Sequence, residues 1–148
     1  MLYVFINLYI YIYIMITWEL LKKYELMPPK SSKTYRTKEI NDAYENHKNK
    51  LKQQNLTLSK YITKTLFNNN NKELVRLELN PFSYNVDENV SHFILWLNPL
   101  IEHPNNIDLK TLIPYPYSEY TDDKIAIISN SLDARSIPEI EHIHLFIR

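Results

Sequence analysis

Apolar residues in this chain recur first at helical spacing and then at strand spacing. Leu20, Leu21 and Tyr24 form a short stripe, with Thr17 placed to cap the helix and Pro28-Pro29 to stop it. A second helix is expected from about Thr37 to Gln54, carrying Ile40, Tyr44, His47 and Leu51 on one side. Its other side is Lys, Glu, Asn and Gln, a solvated face, and His47 reads as structural or exposed. A third helix, over about Leu58 to Phe67, presents Leu58, Ile62 and Leu66. Beyond residue 73 the period drops to two. Val75, Leu77 and Leu79 alternate with Arg76 and Glu78, and Ser91 to Leu97 is an apolar run stopped by Asn98-Pro99. Lys124 to Ser129 and the closing ten residues are two further strands, and residues 102–123 read as loop with some helix. The order predicts an α+β domain, N-terminal helices packed on a mainly antiparallel β-sheet. Residues 15–148 make that single domain, helical over 15–72 and sheet-rich over 73–148.

The first fourteen residues stand apart. They are nearly all apolar, and Tyr9 to Ile14 repeat a Tyr-Ile pair. The stretch reads as a low-complexity leader absent from the native protein, with Met15 as its start, or as a membrane anchor followed by Lys22 and Lys23.

Composition removes several chemistries. There is no cysteine, so there are no disulfides, thiolate nucleophiles or zinc–thiolate sites, and an intracellular, cytoplasmic protein is expected. There is no glycine, so no phosphate-binding glycine loop or nucleophile elbow exists, and turns needing positive φ must use Asn or Asp. The wealth of Asn, Ile, Lys and Tyr implies an AT-rich genome, of the kind carried by some large DNA viruses and protists. With 17 basic and 17 acidic residues the net charge is zero, and no basic stripe interleaves with aromatics. Nucleic acid is therefore not an expected partner. A membrane is a partner only if residues 1–14 form an anchor.

The chemistry concentrates in the last strand. Ile140, His142, His144 and Phe146 share one face of a strand, and the two imidazoles lie about 6.5–7 Å apart along it. On the earlier strand His92, Ile94 and Trp96 share a face in the same way. Three histidines on neighbouring strands suit an open site for a divalent metal, with His92, His142 and His144 as ligands. They equally suit catalysis on phosphorus, with His144 as nucleophile, His142 as its orienting partner and His92 alongside. Trp96, Asn130, Tyr84 and Arg148 are the candidate ligand-binding residues around them. The competing reading makes the histidines core residues, bonded to backbone and packed on Trp96.

Several segments carry a family resemblance. Thr17-Trp18-Glu19-Leu20-Leu21, Asn80-Pro81-Phe82-Ser83-Tyr84 and His92-Phe93-Ile94-Leu95-Trp96 do so in the first part of the chain. Ile127 to Leu132 and Ser136 to His144 complete it. Together they resemble the N-acetylglucosamine-induced protein 1 family, across most of residues 17–148. That family's name implies a link to amino-sugar response and no particular reaction. His142-Ile143-His144-Leu145-Phe146 also looks similar to the strand motif of histidine-triad hydrolases, with Phe146 where the third histidine stands. The expected function is a His-centred hydrolase on a small phosphorylated or nucleotide-sugar-like ligand. The alternative is a non-catalytic ligand-binding or regulatory module with structural histidines.

Overall fold

The computed structural model describes residues 15–29, 35–68, 72–131 and 135–148. The leader or anchor reading of residues 1–14 falls outside the described residues. Among the described residues, no helix is long and apolar enough to cross a membrane.

Among the described residues three α-helices precede four strands. The helices are α1 (Trp18–Leu26), α2 (Lys38–Gln53) and α3 (Leu58–Leu66). Each starts on a threonine whose hydroxyl accepts an early backbone N–H: Thr17 from Leu20, Thr37 from Ile40 and Thr57 from Lys60. The end of α2 shows how a chain without glycine turns. Asn55 takes φ 56°, the left-handed conformation that glycine usually supplies at this position. Around it the Leu56 N–H reaches the Leu51 carbonyl and the Asn55 N–H reaches that of Lys52, so these two carbonyls of the last turn are satisfied.

The strands are β1 (Val75–Leu79), β2 (Ser91–Leu97), β3 (Ile125–Ile128) and β4 (His142–Ile147). They form one antiparallel sheet in the order β1-β2-β4-β3. The two central strands, β2 and β4, are covered on both faces. Leu95, Leu97, Ile143 and Leu145 pack on one side against Leu109 and the neighbouring 102–123 segment. Two short 3-10 turns, Leu109–Leu112 and Tyr117–Glu119, supply the helical part of that segment. The opposite face meets the N-terminal helices. Ala126, Ile128 and Phe146 pack with Trp18 and Leu21 there, and Ile94 and Trp96 pack with Phe67, Ile62 and Leu66.

The strand β3 lies at one edge of the sheet, where unpaired backbone groups would invite another strand. Helix α1 covers that edge chemically as well as sterically. Glu25 accepts the Ile127 N–H at 2.7 Å, Lys22 donates to the Ile125 carbonyl at 3.1 Å, and the two side chains form an ion pair with each other. Replacing Glu25 with alanine should strip the Ile127 amide of its part-buried acceptor and lower stability by about 1–3 kcal/mol. Glu25→Gln, which keeps an acceptor, should lose less. The midpoints of urea unfolding for the two variants measure the difference.

Candidate functional site

The pairing of β2 with β4 sets Trp96 opposite His142, Ile94 opposite His144, and His92 opposite Phe146. Residues opposite one another point to the same face, so all three imidazoles converge on the helix side of the sheet. They are almost fully buried, at 2%, 4% and 5% exposure for His92, His142 and His144.

Their hydrogen bonds assign the protons. The Tyr84 N–H donates to His92 Nδ1 at 3.1 Å, so this nitrogen presents a lone pair and the ring's proton sits on Nε2. His92 Nε2 lies 2.8 Å from His144 Nδ1, which must therefore accept from it. The proton of neutral His144 is then on Nε2. His142 runs the other way. Its Nδ1 lies 2.7 Å from the Ile140 carbonyl, a pure acceptor, so Nδ1 donates and Nε2 is left with the lone pair.

Burial pushes all three rings below the ordinary histidine value. For His92 the second cause is the nearby Arg36 guanidinium. For His144 the neighbouring imidazoles and Arg36 add to burial, and for His142 the Ile140 carbonyl partly opposes it. His92 and His144 each accept at Nδ1, so both rings are neutral in the fold, and burial favours the neutral form of His142.

The loop from Asn80 to Val90 folds over His92. Asn80 accepts the Phe82 N–H through its side chain at 2.9 Å, and the Arg36 Nε–H donates to the Phe82 carbonyl at 2.8 Å. Tyr84, 4% exposed, lies against His144 with ring centroids 5.3 Å apart, and against His92 at 4.6 Å. Burial raises its phenol above the usual value. Asn130 stands behind Tyr84, its amide 3.4 Å from the Tyr84 hydroxyl. Phe146 stacks on His92 at 4.2 Å, so the position of a third triad histidine is filled by a packing ring.

A cavity of about 460 Å³ opens between this sheet face and helices α2 and α3, within the usual size for a small-molecule site. His142, His144, Trp96, Arg36, Tyr44 and His47 contribute to its wall. Of the residues expected at a site, His142, His144 and Trp96 reach it, with Trp96 packed on His142 at 4.6 Å. His92, Tyr84 and Asn130 form the layer behind the two rings. Arg148 lies elsewhere, its guanidinium 4.5 Å from the Trp18 ring centroid and bonded to the Asp123 carbonyl. Arg135 is paired with Glu141 at 2.8 Å.

The three imidazoles are together, yet their lone pairs do not meet at one point. Both nitrogens of His92 are engaged, and His144 offers a proton where a metal needs an electron pair. Among the described residues no group of three His, Cys, Asp or Glu is placed to hold a metal ion. Sequence reasoning missed Arg36 and Tyr44. His47, read as structural or exposed, is half-buried in the cavity wall and packs edge-on to Tyr61 at 5.0 Å. The one signal for Tyr44 is that it shares the apolar side of α2 with His47, and nothing in the spacing pointed to Arg36.

The lowered histidine values make stability depend on pH in a definite direction. In the unfolded chain the rings titrate near 6.5. Just below that value the unfolded chain binds more protons than the fold, so stability falls as the pH falls and is fully present above it. Each ring contributes a slope of up to about 1.4 kcal/mol per pH unit. Urea midpoints should therefore drop between about pH 7 and pH 5. A flat profile would show that the rings titrate in the fold as they do in the unfolded chain.

Residues 17–148 match the family described as "Protein of unknown function (DUF3605)". No curated protein matches the sequence. The crystal structure of HTC1 has the same fold with a TM-score of 0.58, at 20% identity over 88% of this chain and 84% of that one. The match to the family spans the helices, the sheet and every residue of the cavity wall, and on it the chain belongs to the DUF3605 family.

Proposed function

We propose that the protein is a small-molecule-binding module whose ligand lies in the cavity between α2, α3 and the sheet. The observation that carries this reading is the complementary pair of imidazoles in the cavity wall. His144 has a proton to donate and His142 has a lone pair to accept one, with Trp96 as an apolar surface beside them. A hydroxyl or an amide can answer both rings at once. The resemblance to the N-acetylglucosamine-induced protein 1 family makes amino sugars, their phosphates and nucleotide sugars the first ligands to test.

The same geometry weighs against His144 as a nucleophile. For its Nε2 to carry a lone pair, its proton must move to Nδ1. His92 would then have to accept at Nε2 and hold its own proton on Nδ1, against the Tyr84 N–H. That reversal leaves two donors facing each other in a buried place, which is costly. A hydrolytic reading survives in a different form, with His142 Nε2 as the general base that activates water.

Titration of amino sugars and nucleotide sugars, followed through the histidine ring protons by NMR, tests the binding reading. His142→Ala should weaken binding by roughly tenfold or more, as expected for loss of a buried polar contact. It should also lower stability by about 1–3 kcal/mol through the lost bond to the Ile140 carbonyl. Ring protons of His142 and His144 that ignore every compound in the panel would overturn it. A phosphoesterase panel on wild type and His142→Ala separates the two readings: turnover that vanishes with His142 would make the protein a hydrolase.

A further inference from the structure

The cavity wall holds a positive charge without a counter-ion among the described residues. Arg36, just before α2, is 6% exposed, and among the described residues no carboxylate forms an ion pair with it. Its Nε–H is used on the Phe82 carbonyl, and its plane lies over the Tyr44 ring at 4.7 Å from the centroid. The guanidinium has five N–H donors, and four of them remain after the bond to Phe82. A buried charge of this kind is expensive to hold unless something answers it.

The second observation is independent of the first. The Tyr44 hydroxyl is buried without a hydrogen-bond partner among the described residues, on a side chain that is itself 8% exposed. Buried hydroxyls are nearly always bonded, so an orphan of this kind marks a place where a polar group belongs. Tyr44 and Arg36 share the cavity wall with His144. All three present donors: a guanidinium, a hydroxyl and an imidazole N–H. A group made only of acceptors, with negative charge, satisfies them together. Glu78 is the acidic residue of the wall, and its carboxylate is held by the Arg76 Nε–H at 2.8 Å.

We infer that Arg36 and Tyr44 form an anion subsite that takes a phosphate group, as free phosphate or as the phosphoryl end of a larger ligand. The inference rests on the cavity being a ligand site and adds which chemical group enters it and where. Phosphate suits it better than carboxylate because a phosphate monoester offers three terminal oxygens to the three kinds of donor, and a planar guanidinium can grip two of them. No backbone phosphate loop is needed, which matters in a chain without glycine. Sequence pattern alone hides the subsite, since Arg36 lies outside every periodic segment and Tyr44 looks like an ordinary core position.

The test uses the full chain titrated separately with inorganic phosphate, glucose 6-phosphate and acetate, read by NMR and by thermal melting. Phosphate should raise the melting temperature and move the Tyr44 ring and His144 imidazole resonances, and acetate should do neither. Glucose 6-phosphate binding more tightly than inorganic phosphate would identify an esterified group as the natural occupant, and the reverse order would identify the free anion. Tyr44→Phe is the decisive variant, because it keeps the ring that packs on Arg36 and removes only the hydroxyl. Without phosphate it should melt at or above the wild-type temperature, and its phosphate affinity should fall roughly tenfold. Arg36→Gln should abolish binding, and Arg36→Lys should restore part of it. Wild-type phosphate affinity in Tyr44→Phe, or no phosphate binding at all, overturns the subsite. Binding that survives at Arg36 and Tyr44 variants but is lost in His144→Asn also overturns it while leaving the cavity as a ligand site. If neither the phosphates nor the amino sugars move any resonance of the wall, subsite and binding module fall together.

Discussion

A short relay of hydrogen bonds governs how this protein presents its chemistry: the Tyr84 amide to His92, and His92 to His144. The first donor is a backbone N–H, which cannot reverse. Every later direction follows from it, and the relay ends with a proton on the far nitrogen of His144. Burial reinforces this by keeping the rings neutral, so the order is not scrambled by protonation. The loop that supplies the Tyr84 amide is in turn held by Asn80 and by Arg36, which ties the orientation of one imidazole to a residue at the start of α2.

The cost of placing three imidazoles in the interior is met by the sheet. Strands β2 and β4 are the central pair, and their hydrogen-bonded register fixes where each ring emerges. On the far face the same two strands are packed with Leu95, Leu97, Ile143 and Leu145, so a slip of one residue would exchange aliphatic side chains for imidazoles throughout. That penalty holds the register more firmly than any single contact at the site. The polar rings then share their face with Phe146, Trp96 and Tyr84, whose planar surfaces fill the gaps between them.

Much of this was legible in the residues. Thr17 and Thr37 mark the first two helix starts, and the change of period near residue 73 marks the passage from helices to strands; the cap at Thr57 was not read. The common face of His142 and His144 follows from alternation alone, as does that of His92 and Trp96. Asn55 fills the left-handed turn that a chain without glycine had to assign to Asn or Asp. Not legible was the use of each ring. Alternation groups His142 with His144 and His92 with Trp96, but it says nothing about the register that brings the two strands' rings to one face, or about the 2.8 Å bond that makes His92 the orienter of His144. Arg148 looked available because it follows the histidine strand, yet the strand's exit carries it to Trp18.

The sequence by itself determined the elements, their order and the face each strand residue takes, because those depend on spacing along the chain and on local capping. Only the tertiary structure decided that β4 inserts between β2 and β3, and that Arg36 and Tyr44 line one cavity with His142 and His144. These are contacts between residues far apart in the chain. They are chosen by how whole faces fill space together, and no local period records that choice.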